Sequence, residues 1–220
     1  MDDKLTRDLD KSAKAFIEIG WPRLKPIIGG KIIQIETLDG ALATKLDMNA
    51  GVDAWHENDN GDMTSCAVRM QEMDFHTFTV RYKRMGGSET EWPKRRKWLA
   101  GGQRTLGPTW TIQGYYQAKQ LLRIGLIDTA TLFNYMAPFE EDAVKFRMWE
   151  DGEGDTVSAP CRRPKCYLQR VGYSGTGNWF FVCDWSYLPT IKTWDLVEEQ
   201  QKQEMRRLEQ ETKKIGLFTK

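Results

Sequence analysis

Asp53, Arg69, Gln71, Thr79 and Arg81 lie on three short segments whose alternation puts each of them on the polar side. In 52–57, Val52, Ala54 and His56 separate from Asp53, Trp55 and Glu57; in 64–71, Cys66, Val68 and Met70 separate from Ser65, Ala67, Arg69 and Gln71. In 77–84, Phe78, Val80 and Tyr82 oppose Thr79, Arg81 and Lys83, and Asn60-Gly61 supplies a hairpin turn between the first two segments. One sheet carrying all three would bury Val52, Val68, Met70, Phe78 and Val80 and gather a carboxylate, two guanidinium groups, an amide and a hydroxyl on its other face. Such a set suits phosphate oxygens, alone or through a hard cation. The same alternation also describes a sheet with one solvated face, where Asp53 does no more than pair with Arg69 or Arg81.

Other chemistries find less support. Cys161 and Cys166 are five apart and Cys183 follows seventeen later, so paired zinc knuckles are absent; zinc is not expected, and Cys66 and Cys183 read as small buried hydrophobes. His56 and His76 are the only histidines, and neither sits in a nucleophile motif. GYSGTG at 172–177 falls between two strand patterns and reads as a hairpin turn. Met85-Gly86-Gly87-Ser88 lacks the lysine and hydroxyl of a phosphate-binding P-loop. What remains is hard-metal chemistry, in which Mg²⁺ needs only one or two carboxylates besides phosphates and water.

Several elements must position these residues. Leu5, Leu9, Ala13, Phe16 and Ile17 predict a helix over 4–20 with Glu18 off its apolar stripe, and a further turn or two covers 22–28. KIIQIE at 31–36 is a strand by its β-branched content. Ser88 or Thr90 is expected to cap a helix reaching Leu99, with Pro93 in its first turn and Lys94, Arg95 and Arg96 close to an N-terminus that favours anions. PTWTIQGYY at 108–116 reads as a strand facing Trp110, Ile112 and Tyr115 inward; 117–125 and 128–137 read as short helices.

The chain has 220 residues and a net charge of +1, unevenly spread: 81–104 is basic and 139–155 acidic. Strand patterns at 166–173 and 178–184 form a hairpin, and 193–214 is a charged helix without Gly or Pro whose polar gap at Gln200, Gln201 and Gln203 breaks any coiled-coil seam. The expected fold is therefore α+β or α/β, a central mixed sheet flanked by helices, with a C-terminal hairpin and a long terminal helix. Its segments would be a core at 1–138, an acidic connector with hairpin at 139–192, and the charged helix at 193–220. No run approaches eighteen apolar residues, the N-terminus lacks a secretory pattern and cysteine is sparse, so the expectation is a cytoplasmic protein without a membrane span.

The order of elements over residues 5–116 resembles the PD-(D/E)XK nuclease-like family, in which a helix precedes a hairpin-rich sheet, an Asp sits on the second strand and an acid-x-Lys pair on the third. By that resemblance Asp53 in GVDAW matches the metal-binding Asp, Glu18 the first-helix acid, and Arg69-Met70-Gln71 the third-strand pair. Arg69 stands where an acid is expected and Gln71 where Lys is usual, so Glu72 or Glu57 would supply the missing carboxylate. The resemblance implies Mg²⁺-dependent phosphodiester hydrolysis of nucleic acid, with Asp53 and Glu72 as metal ligands, Gln71 orienting water and Arg69 stabilising charge. Thr79, Arg81, Arg84, Glu91, Lys94 and Arg95 would contact substrate. The alternative is a non-catalytic module that binds nucleic acid, a nucleotide or a protein through the same Arg- and Gln-rich face, with Trp92, Trp98 or Trp110 for stacking. A third reading is an accessory protein that self-associates or meets a protein partner through the 193–214 helix.

Overall fold

Gly29 and Gly30 set the geometry from which the sheet starts. The computed structural model describes residues 11–35, 51–83, 89–101, 107–152, 162–171, 178–188 and 190–217. Residues 11–15 are helical and pass through a π-helical turn, Phe16–Gly20, into α1, Trp21–Ile28. Gly29, with φ 71°, closes α1 by donating its N–H to the Lys25 carbonyl at 2.8 Å. Gly30, with φ 73°, follows it into β1, Lys31–Gln34.

The main sheet has six strands in the order β1-β2-β3-β5-β6-β9. Here β2 is Ala54–Glu57, β3 Met63–Gln71, β5 Trp110–Gln117, β6 Gln120–Asp128 and β9 Lys192–Asp195. β3 and β5 run parallel, pairing Arg69 with Gln113 and Gln71 with Tyr115; the other neighbours are antiparallel. Between β3 and β5 the chain makes β4, Thr77–Lys83, and α2, Glu91–Ala100. One face of the sheet packs Ala54, Cys66, Met70, Ile112, Ile124 and Leu126 against Phe16 and Leu24.

The second sheet has the order β4-β8-β7, with β7 at Cys166–Val171 and β8 at Asn178–Asp184. Its core joins Phe78, Val80 and Phe181 to Trp92 of α2, to Phe133 of α3, Thr129–Met136, and to Ala143 of α4, Glu140–Glu150. Trp92 stacks on Phe133 at 4.9 Å. The long α5, Leu196–Leu217, leaves the main sheet directly after β9. The result is an α+β fold with a central mixed sheet, a hairpin and a long terminal helix, as the sequence predicts.

Four local expectations are corrected. The three polar-faced strands do not share a sheet: β4 leaves β3 and pairs with β8, because alternation specifies which side of a strand is polar but not its neighbour. Residues 120–128 are a strand rather than a helix; β6 lies between β5 and β9 with Ile124, Gly125, Leu126 and Ile127 all buried, so its apolar run is continuous. The acidic 140–150 segment is a helix whose first turn holds Glu140, Glu141 and Asp142, the end where the helix dipole favours carboxylates. Finally, 192–195 forms β9 before the terminal helix begins. The sheets also cross the boundaries at 138 and 192, because β8 pairs with β4 and β9 with β6.

Candidate anion-binding site

The polar faces of β3 and β5 meet β4 across a hydrogen-bonded layer between the two sheets. The Arg69 Nη1 donates to the Thr79 carbonyl at 2.8 Å and to Thr79 Oγ1 at 3.0 Å; its Nη2 reaches Glu91 Oε1 at 2.8 Å. The other Glu91 oxygen accepts the Arg81 backbone N–H at 3.1 Å. Burial alone would raise the Glu91 pKa, but the guanidiniums of Arg69, Arg95 and Arg81 and that N–H outweigh it and hold the carboxyl at about 2. Arg95 is 5% exposed; burial lowers its pKa, while Glu91 and Asp53 favour its charge. The site is not sealed, since the Arg69 and Glu91 side chains keep 19% and 27% of their surface in solvent.

Gln113 organises the rest of the layer. Its Oε1 accepts the Thr79 N–H at 2.8 Å, while its Nε2 donates to Gln71 Oε1 at 2.8 Å and to the Tyr115 hydroxyl at 2.6 Å. The Tyr115 O–H donates in turn to the Thr77 carbonyl at 2.8 Å. Burial pushes the Tyr115 phenol up to about 12, so it stays protonated as a donor. This network fixes the backbone of β4 against β5 and thereby fixes Arg69 and Thr79.

Asp53 precedes β2, and its Oδ2 accepts the Val68 N–H at 2.6 Å. Arg95 Nη2 donates to the carbonyl of Gly51, two residues away along the chain, at 3.4 Å. Beyond the layer, Arg81 and Lys83 lie over the rings of Phe180 and Trp179 at 6.0 and 5.3 Å, and Arg69 also lies over Phe180 at 5.2 Å.

The structure thus brings Asp53, Arg69, Gln71, Thr79, Arg81, Glu91 and Arg95 to one region. Lys94 follows Glu91 by one turn of α2 and is partly exposed. Glu18 is 58% exposed and pairs with Lys14, Glu57 pairs with Lys31 at 3.0 Å, and Glu72 is exposed beyond the end of β3; none of these carboxylates has a contact within the layer. Arg84 and Cys161 lie outside the described residues. Thr90 occupies the position before α2, but its hydroxyl donates to the Tyr82 carbonyl at 2.7 Å instead of capping the helix, and Glu91 occupies the end proposed for a phosphate. Trp92 is core at 2% exposure, whereas Trp98 is partly exposed beside a pocket. Gln113 and Tyr115 were missed as site residues. Alternation places both on one side of β5, but only the parallel pairing with β3 puts that side beside Arg69 and Gln71.

The donor set can be judged against magnesium directly. Both Glu91 oxygens and one Asp53 oxygen accept hydrogen bonds. Among the described residues, the guanidiniums of Arg69, Arg81 and Arg95 lie near Glu91, and Asp53 lies near Arg95, so +3 and −2 leave +1 for these five groups. Among the described residues no three His, Cys, Asp or Glu side chains gather. The positive balance of these groups favours an anion over a divalent cation, which the guanidiniums would repel. No protein-family model, curated protein or solved structure matches the chain. Among the described residues no helix is long and apolar enough to cross a membrane.

Proposed function

We propose that the chain is a nucleic-acid-binding protein built on a nuclease-like sheet, and that the Arg-rich layer between its two sheets takes a backbone phosphate without cutting it. The observation that carries this reading is the convergence of Arg69, Arg81 and Arg95 on Glu91 at a partly open mouth. A phosphate there would accept from guanidinium groups already oriented by Glu91 and Thr79, so little side-chain ordering remains to be done on binding. Arg81 and Lys83, laid over Phe180 and Trp179, continue a basic and aromatic track along β4 and β8. A reduced, cytoplasmic setting is part of the same reading, on the sparse cysteine of the sequence.

The test is fluorescence anisotropy of labelled DNA and RNA with the full chain over a range of salt. Binding that weakens as salt rises, and weakens further in R81Q, is expected. Absence of salt-dependent binding to any nucleic acid would refute the reading. A second reading, magnesium-dependent phosphodiester hydrolysis, draws on the placement of Asp53 before β2 and Gln71 on β3. Cleavage that needs Mg²⁺, stops with EDTA and is lost in D53N would establish it in place of the first.

A further inference from the structure

A pocket opens beside Arg95. Its empty space, open solvent at the mouth included, is about 470 Å³, and Arg95, Trp98, Leu99, Gly107, Thr109 and Thr129 are among the residues that line it. Arg95 is therefore common to two features: its charge is tied to Glu91 and Asp53 in the anion layer, and its side chain lines the pocket.

The walls of this pocket are built. The Trp98 indole packs against Gly107, where an added Cβ would come within 2.7 Å of Cε3 and 2.8 Å of Cζ3, so only glycine leaves the ring in place. Ser65 ties the same loop down, donating its hydroxyl to the Gly107 carbonyl at 3.0 Å and accepting the Thr109 N–H at 3.0 Å. Thr129 is held by Thr111, hydroxyl to hydroxyl at 2.9 Å. Asp128 also lines the pocket, and its Oδ1 caps α3 by accepting the Thr131 N–H at 2.7 Å.

The lining is chemically mixed: Arg95 and Asp128 carry opposite charges, and Trp98 and Leu99 add an aromatic and an aliphatic side chain. A second phosphate is disfavoured beside Asp128, whereas a flat, uncharged group with N–H donors suits both the indole and the carboxylate. We infer that this pocket receives one unstacked nucleobase from a strand whose phosphate occupies the Arg69 and Glu91 layer, which makes single-stranded nucleic acid the ligand class. The inference rests on the proposed phosphate site and adds base recognition to it. A base paired within a duplex is stacked on both sides and cannot enter without flipping out, so duplex is discriminated against.

Anisotropy with the full chain tests this using a labelled single-stranded 12-mer, the same strand with a single run of abasic sites, and the matching duplex, for the unsubstituted protein, W98A and W98F. The single strand is expected to bind about tenfold or more tighter than either the abasic strand or the duplex, W98A to erase that preference, and W98F to retain most of it. W98F keeps an aromatic wall and a folded core, so a folding defect in W98A does not hide the result. Equal affinity for the three ligands, or a single-strand preference unchanged in folded W98A, would overturn the base pocket while leaving the phosphate site standing. Absence of binding to all three would overturn the phosphate site itself.

Discussion

Glu91 is the residue on which the charge balance turns, because its two oxygens meet the Arg69 guanidinium and the Arg81 backbone N–H. Removing its charge takes away the carboxylate that faces all three guanidiniums and costs the layer its pairing with Arg69. Loss of one partner from a buried pair is strongly destabilising, but partial exposure of Glu91 screens part of the effect. E91Q is therefore expected to lower stability by about 1–3 kcal/mol in urea unfolding with an unchanged m-value. Its pH dependence has a definite sign. The folded Glu91 pKa, about 2, lies below the ordinary 4.5, so its contribution is complete above pH 4.5 and is lost as the pH falls through 2. The stability gap between the unsubstituted chain and E91Q should shrink across that interval; a gap that widens on acidification would contradict the assignment. At Asp53 the outcome differs: D53N retains an oxygen acceptor for the Val68 N–H while removing the charge next to Arg95, so phosphate affinity should hold or rise. A fall in salt-dependent nucleic-acid affinity in folded D53N would speak against an anion site.

Among the elements, the start of β1 shows how closely two backbones meet. A Cβ on Gly30 would strike the Glu57 carbonyl and the His56 ring, and its φ of 73° is strained for any other residue. G30A is expected to destabilise the fold by about 2–4 kcal/mol, read by thermal or urea unfolding, whereas G61A, at a turn with open space around it, bears only the conformational strain and should cost about 1 kcal/mol. Much of the element order was legible in the sequence. The β-branched run at Ile32 and Ile33, the Asn60-Gly61 turn, the aromatic hairpin strands and the Gly-free terminal helix each carry a local signal, and the polar partition that brings Arg69, Thr79 and Arg81 together is a period-two pattern. Partners were not legible. Whether β4 pairs with β3 or β8 depends on non-local contacts, and β6 concealed its period because both its faces are buried. The turn before β6, with Ala118 and Lys119 at φ 47° and 62°, carries none of the usual Asn or Gly. Glu91 was legible as a site residue, but its embrace by Arg69 and the Arg81 backbone required the second sheet.

For the whole molecule, the two sheets are joined both by the polar layer and by an apolar core in which Tyr115 and Ile127 of the main sheet meet Phe78, Val80 and Phe181 of the second. The layer orients the Arg69 guanidinium through Thr79 and Glu91 and leaves part of Arg69 and Glu91 in solvent. The terminal helix stands apart from this arrangement. Residues 201–212 are exposed throughout, with Met205 and Leu208 at 63% and 51%, so truncation after Gln200 should shift Tm by less than about 2 °C if the helix has no partner in solution. A larger shift that depends on protein concentration would mean that a second copy covers it. The central claim, that the Arg-lined layer neutralises backbone phosphate, is tested most directly by the salt dependence of affinity for a single-stranded oligonucleotide. For the unsubstituted chain log K should fall linearly with log salt, and in folded R81Q the slope should lose about 0.7, one phosphate contact. Identical slopes for the two proteins, or an affinity indifferent to salt, would contradict it.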